Sequence, residues 1–141
     1  MSKWVQKEIT LKAKSRGFHL VTDEILKQLY DITSFKMGMC NMFLLHTSAS
    51  LSVNENADPT VRHDFESYFS RLVPEYEPYY LHTYEGPDDL SAHVKSSVIG
   101  CSVNIPIQNG QLKLGCWQGI YLGEHRNNGG NRKLFITMNG V

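Results

Sequence analysis

The chain has 141 residues, with fourteen basic and fourteen acidic side chains and a formal net charge of zero. That length fits one domain, residues 1–141, able to bury roughly two-thirds of its unfolded surface without staples. The balanced charge and the lack of a basic stripe exclude the electrostatic footprint of a nucleic-acid binder. No apolar stretch is long enough to span a bilayer, and the opening MSKWVQKEIT is charged and alternating, unlike a signal or transit peptide. Three cysteines with no Cys-x-x-Cys pair predict reduced thiols and a cytoplasmic location. Near-zero charge gives little colloidal repulsion and is compatible with a homo-oligomer.

In chain order, residues 3–13 alternate, with Val5, Ile9, Leu11 and Ala13 on one face, and predict a half-buried strand broken by Ser15-Arg16-Gly17. Thr22 is placed to cap a short helix opening with Asp23 and Glu24, whose acids suit the positive end of the helix dipole. Residues 39–46 read as a buried strand and 51–54 as a second. Asp58-Pro59 marks a helix start, an N-cap followed by a proline that lacks the N–H left unpaired there anyway. Val61, Phe65, Tyr68, Phe69 and Leu72 recur at helical spacing until Pro74. Residues 74–88 form a long Tyr-, Pro- and Glu-rich connection, a length more often functional than idle. Asp88 or Asp89 caps a further helix to about Ile99, with Gly100 placed to close it in the left-handed conformation. Residues 101–107 and 111–116 flank Asn109-Gly110, a strong hairpin signal, and 117–123 and 132–138 are expected to pair across the NNGGN turn. The order is not the alternation of a parallel α/β fold. It predicts an α+β fold with antiparallel, β-sandwich-like sheets and two to three flanking helices.

The segment His46 to Pro59, HTSASLSVNENADP, sets many polar side chains directly after the apolar run Met42-Phe43-Leu44-Leu45. Polar groups at the edge of a core must be paired, so the segment is either a hydrogen-bonded turn or the wall of a polar site. None of the six histidines follows the spacing of a zinc protease. His46 ends a buried strand, His82 lies in the long connection and His93 lies on a helix. Three converging imidazoles would leave an open coordination position, as in catalytic zinc sites; the alternative is three surface or hydrogen-bonded histidines. Carboxylates cluster at Glu55 with Asp58, and at Glu85 with Asp88 and Asp89. They suit magnesium binding, proton transfer or the orientation of histidines, although capping accounts for Asp58 and Asp89. Glu55, between two asparagines, has no evident capping role. Lys95 either faces solvent or turns inward to balance acid or hold a phosphate. Trp117-Gln118 is either a platform for a flat heterocycle or an ordinary core tryptophan. Cys40, Cys101 and Cys116 fall on strand positions, where buried cysteines act as small apolar groups. No Gly-rich phosphate loop is present.

The motifs LKAKSRGFHLVTDEI, HTSASLSVNENADPTVRHD, YEGPDDLSAHVKSS and GCWQGIYLGEHR, in that order, closely resemble the YjbQ family, also called the secondary thiamine-phosphate synthase family. The resemblance spans nearly the whole chain. It implies a β-sandwich-like α+β fold, a homotrimer and a polar pocket whose histidines hold a metal. It implies metal ligation by His46, His82 and His93, and catalytic roles for Glu55, Asp88 and Glu124. Substrate binding falls to Ser48, Asn54, Lys95, Ser97, Trp117, Gln118 and Arg126. The family usually reads Gly-Thr-Trp-Gln where this chain has Gly115-Cys116-Trp117-Gln118, and a thiol poorly replaces a hydroxyl that donates to a ligand oxygen. The implied activity is weak thiamine-phosphate formation, joining a pyrimidine-methyl diphosphate to a thiazole phosphate with release of pyrophosphate. A TIM barrel, the scaffold of the main enzyme for that reaction, needs about 200 residues or more, so any such activity here uses another scaffold. Departing pyrophosphate requires a metal or cationic clamp; Lys95 and Arg126 would supply cations. A His-rich centre favours zinc over magnesium, which points to thiamine-phosphate formation as secondary to another role. Two further readings follow: a non-catalytic trimer binding a metal or small ligand, and a zinc hydrolase of a small phosphorylated molecule.

Overall fold

The computed structural model describes residues 1–141 as eight strands, three α-helices and a 3-10 turn at Tyr30–Ser34. In chain order these are β1 (Lys3–Leu11), β2 (Gly17–Leu20), α1 (Thr22–Leu26), β3 (Met37–Leu44), β4 (Ala49–Glu55), α2 (Pro59–Leu72), α3 (Asp89–Ile99), β5 (Ser102–Gln108), β6 (Gln111–Leu112), β7 (Gln118–Glu124) and β8 (Arg132–Gly140). All strand pairings are antiparallel. The larger sheet runs β1-β8-β3-β5-β6 and the smaller β2-β7-β4. The sheets face each other through alternate residues. Ile9, Leu11, Met42, Leu44, Ile105, Leu134 and Ile136 of the larger sheet meet Ala49, Leu51, Ile120 and Leu122 of the smaller in one core, which Ile25, Leu29, Ile32 and Phe35 close at one side. The expected α+β, antiparallel, sandwich-like architecture is what the chain adopts.

Local expectations fare unevenly. Asp58 does cap α2, its side chain accepting from Thr60 N at 3.0 Å, with Pro59 at the helix start. The expected pairing of 117–123 with 132–138 does not occur. β7 is central in the smaller sheet and β8 is central in the larger one, so the Gly/Asn-rich connection between them changes sheets. The break at Ser15-Arg16-Gly17 is short, for Gly17–Leu20 already forms the edge strand β2. The return strand after Asn109-Gly110 lasts only two residues before the chain leaves the sheet at Lys113. Cys116 is therefore exposed in a turn, whereas Cys40 is buried and burial pushes its thiol up to about 12. Thr22 is not a cap; its hydroxyl accepts from Ile120 N at 2.8 Å and ties α1 to β7. Gly100 closes α3 with φ 115° and ψ 166°, an extended positive-φ conformation rather than the left-handed helical one.

The second face of the smaller sheet carries Phe18, Ser50, Ser52, Tyr121 and Gly123, and the register puts Ser50 and Phe18 on either side of Gly123. α2 lies over β2 and α3 over β4. Phe65 and Phe69 of α2 each hold their ring 5.7 Å from that of Phe18. His125, just past β7, is fully buried with Nε2 2.9 Å from the Ser50 hydroxyl.

Two measurements check this packing. Gly38 and Gly140 are paired across β3 and β8, and a Cβ on Gly38 would run into the Asn139 carbonyl. Gly38→Ala is expected to lower the unfolding free energy by about 1–3 kcal/mol, the usual cost of overpacking, in a urea titration. Burial, with the charges of Lys95, Arg132 and Arg16 beside it, pushes the His125 imidazole down to about 3. The unfolded chain takes up that proton near the ordinary histidine value of about 6.5. As pH falls from there toward 3 the unfolded state binds one more proton, so stability declines by about 1.4 kcal/mol per pH unit. His125→Gln, which does not titrate, should remove that part of the slope between pH 6.5 and 4.5 in urea titrations.

Candidate metal centre

The site is built where the long 74–88 connection enters α3. Arg126, past the end of β7, grips this entry. Its Nε donates to Asp88 Oδ2 at 2.9 Å, its Nη1 to Asp89 Oδ1 at 2.5 Å and its Nη2 to the Glu85 carbonyl at 2.9 Å. The backbone N–H of Asn127 adds a bond to Asp88 Oδ2 at 2.9 Å. Asp88 thus neither caps α3 nor stands free as a base, because both its bonds run to the β7 end. Burial alone would raise both carboxyls. In Asp88 the bonds from Asn127 and Arg126 outweigh it, and in Asp89 the bond from His82 and the charges of His93 and Arg126 do so. Both stay ionised below the usual carboxylate range.

Asp89 has a side-chain exposure of 2% and is the hub. Its Oδ2 lies 2.6 Å from His82 Nε2 and 3.0 Å from His93 Nε2, and the two rings are 5.5 Å apart. Glu85, with Oε2 3.7 Å from His82 Nε2, completes a set of four ligand atoms all within 4.8 Å of one another. The tautomer of His93 follows from its other nitrogen, which lies 2.8 Å from the Thr47 carbonyl. A carbonyl only accepts, so Nδ1 carries the hydrogen, and Nε2 faces Asp89 Oδ2 at 3.0 Å either as a second N–H donor or as a lone pair that shares a metal cation with the carboxylate. A His whose Nδ1–H is held by a backbone carbonyl is the usual orientation of a metal-ligating imidazole. The sequence pattern offered a signal for Asp89 that capping obscured: Asp89 and His93 are four apart on a helix and share one face.

His46 lies outside this cluster. Its Nε2 accepts from the Lys133 N–H at 2.8 Å, so the lone pair a metal would need is occupied by the start of β8. Burial and the Arg132 charge lower its basicity and keep the ring neutral. The other expected residues divide. Glu55 accepts from the Ala57 and Asp58 N–H groups at 2.9 and 3.0 Å and shapes the turn into α2, the capping role its sequence context hid. Glu124 is fully buried in a two-pronged pair with Arg132 at 2.8 and 2.6 Å, and Arg132 also donates to the Ser48 hydroxyl at 3.0 Å. Glu124 and Ser48 are thus joined through Arg132. Trp117, 68% exposed, lies in the turn before β7, and Gln118, whose amide oxygen accepts from Gly115 N, opens that strand. They lie a strand length, roughly 20 Å, from the Arg126 end. Asn54 is exposed near the same far end of β4.

A cavity of about 680 Å³ opens beside His93, walled by His46, Thr47, Ser96 and Ser97, by Phe43 of the larger sheet and by Leu45 just past β3. His93, Ser96, Ser97 and Gly100 follow helical spacing and put one side of α3 toward it. Lys95 is on the opposite side, fully buried, and does not reach this cavity.

The family model described as UPF0047 protein YjbQ-like matches residues 7–141. The UPF0047 protein YjbQ of Escherichia coli O157:H7 is 55% identical over 137 residues, 97% of this chain and 99% of that protein. A Synechocystis UPF0047 protein is 38% identical over 135 residues, covering 96% and 91%. Among solved structures, an uncharacterized conserved protein of the yjbq/upf0047 family from Clostridium acetobutylicum is 36% identical, with a TM-score of 0.80 over 94% of this chain and 98% of that one. A YbjQ-like protein of unknown function from Sulfolobus solfataricus, 20% identical, shares the fold over the full length of both chains with a TM-score of 0.86. The motifs, the two-sheet architecture and these relatives agree: the chain belongs to the YjbQ/UPF0047 family.

Proposed function

We propose that this chain is a divalent-metal enzyme whose His82, Asp89 and His93 hold one cation, and that it hydrolyses a small phosphorylated molecule. The observation that carries this reading is the convergence of His82, Glu85, Asp89 and His93, whose ligand atoms all lie within 4.8 Å of one another, with the other nitrogen of His93 committed to Thr47. Two imidazoles and one or two carboxylates are a zinc-type donor set, softer than the all-oxygen shell magnesium prefers. A cation bound there supplies a Lewis acid with coordination positions free for a substrate oxygen.

The chain's own residues do the rest. The Thr47 carbonyl fixes the His93 tautomer, and Arg126 holds Asp89 in place from behind. Glu85 is exposed beside His82 and is the carboxylate available to carry a proton to and from solvent. Thr47, Ser96 and Ser97 line the adjoining cavity and bring hydroxyl donors to it for substrate oxygens. Pyrophosphate transfer has less support. Arg126 is taken up by Asp88, Asp89 and the Glu85 carbonyl, and Lys95 is on the far side of α3, so the expected cationic clamp is not assembled. Thiamine-phosphate formation therefore rests on the family resemblance alone. Met37, Met39, Phe43 and Leu45 are exposed along the outer face of the larger sheet, a patch suited to self-association, and this supports the homotrimer the resemblance implies.

Elemental analysis of untagged protein should find about one zinc-like ion per chain. Asp89→Asn and His93→Ala should lose it, together with the zinc-dependent rise in melting temperature, while His46→Ala keeps both. A panel of small phosphate esters should be hydrolysed above background in a chelator-sensitive way. Metal-free protein whose melting temperature ignores added zinc would sink the proposal. Metal bound without turnover would leave a binding protein.

A further inference from the structure

α2 lies over β2 and α3 over β4, and the two helices leave a cavity of about 520 Å³ between them. Phe65 and Phe69 of α2, Phe18 of β2, and Val98 and Ile99 of α3 give it apolar walls. The rings brace one another, since Phe65 and Phe69 each pack 5.7 Å from Phe18. Ser52 and Asn54, two apart on β4 and so on one face of the sheet, line the same space. A volume of this size with aromatic walls and a few polar groups is the usual form of a small-molecule site. It shares no residue with the candidate metal centre or with the cavity beside His93.

The polar lining is uncommitted. Asn54 Oδ1 accepts from Glu55 N at 2.8 Å, which leaves both hydrogens of Nδ2 free. The register sets Asn54 opposite Gly119, so β7 puts no side chain beside that amide. Ser52 brings a hydroxyl to the same lining. Asp64 is the one charged residue there. Its carboxylate is 78% exposed and is approached by His63 Nδ1 at 3.4 Å. Tyr68, four residues on, shares that face of α2 and also lines the cavity, where its ring attracts a cation held by Asp64. The basic side chains nearby do not offset this acid. Arg62 donates to the Glu55 carbonyl at 3.2 Å and to the Tyr121 hydroxyl at 3.4 Å, Arg16 pairs with Glu66 and Glu75, and Arg71 does not line the cavity. An anion entering here meets only Asp64, whereas a cation meets Asp64 and the Tyr68 ring.

We infer that this cavity is a second binding site, for a small arylalkylammonium whose ring carries a hydroxyl. The ring packs between Phe65, Phe69, Val98 and Ile99. The ammonium pairs with Asp64, and the ring hydroxyl accepts from Asn54 Nδ2 and donates to the Ser52 oxygen. Burial of the ring carries most of the affinity, because an exposed ion pair contributes little, and the acid selects the sign of the charge.

Tyramine is the probe, titrated into the full-length protein and followed by backbone amide NMR shifts. Saturable shifts are expected at Ser52, Asn54, Val98 and Ile99. The isosteric acid 3-(4-hydroxyphenyl)propionate, with the charge reversed, should bind about fivefold more weakly. Phenethylamine, which lacks the hydroxyl, should bind about threefold more weakly. Asp64→Asn should erase the preference for the amine over the acid while both still bind. Val98→Trp, at a residue 58% exposed, should block all three by filling the space. The inference is overturned by an absence of saturable shifts, by equal binding of the acid or of phenethylamine to the unaltered protein, by an amine preference that survives Asp64→Asn, or by binding that survives Val98→Trp. The comparison of the three compounds on the unaltered protein decides even where a variant fails to fold.

Discussion

Burial of the Asp89 carboxylate is the constraint on which the candidate centre depends. A carboxylate removed from water must be matched by positive charge or hydrogen bonds. Here the matching groups come from places far apart in the chain. Arg126 arrives from the end of β7, His82 from the long connection and His93 from the next turn of the same helix. The β3–β4 connection adds the Thr47 carbonyl that sets the His93 ring. One ionised carboxylate therefore fixes the start of α3, the end of the 74–88 segment and the end of β7 against each other. The exit of β7 from its sheet matters for this reason. Had β7 turned back to pair with β8, Arg126 would sit in a hairpin turn instead of against Asp88 and Asp89.

α3 is a helix with two working sides. His93, Ser96, Ser97 and Gly100 face the cavity beside the candidate metal centre, and Val98 and Ile99 line a second cavity between α3 and α2. Its buried contacts are made by small residues, Ser91, Ala92 and Ser96, which let the helix approach β4 closely. Ser91 also donates to the Val73 carbonyl at 2.9 Å, tying α3 to the end of α2. A helix used this way has no single apolar stripe, and its position is held by tight packing and its anchored N-terminus.

Local grammar explains what the sequence reveals. Asp58-Pro59 marks the start of α2 because cap and proline act within three residues, and the strand alternation of 101–107 is visible because one face is buried. The motif resemblance carries the fold class and points to His82 and His93. What escapes is long-range. Nothing near His46 tells that its Nε2 accepts from Lys133, 87 residues later. The Asn- and Gly-rich turn before β8 reads as a hairpin because turn chemistry is the same whether the flanking strands pair or part. Trp117 follows a family motif, yet stands exposed at the far end of β7. Sequence adjacency to Gln118 cannot show which end of a strand faces the site.

The buried charges of the molecule differ in how fully they are matched. Around Glu124, both carboxylate oxygens are matched by Arg132, and the Ser48 hydroxyl and carbonyl take up its remaining Nη2 reach. That cluster joins the end of β7 to the start of β8, across the change of sheets, and its bonding is sufficient to explain it as structure. Elsewhere the same fold leaves Lys95 Nζ, Glu66 Oε2 and His125 Nδ1 buried without hydrogen-bond partners. An apolar side chain of similar volume in place of a buried unpaired charge is commonly neutral or stabilising, so stability alone does not account for Lys95. At Gly123 a residue with a Cβ would strike the Ser50–His125 pair, so the bare backbone there serves that pair.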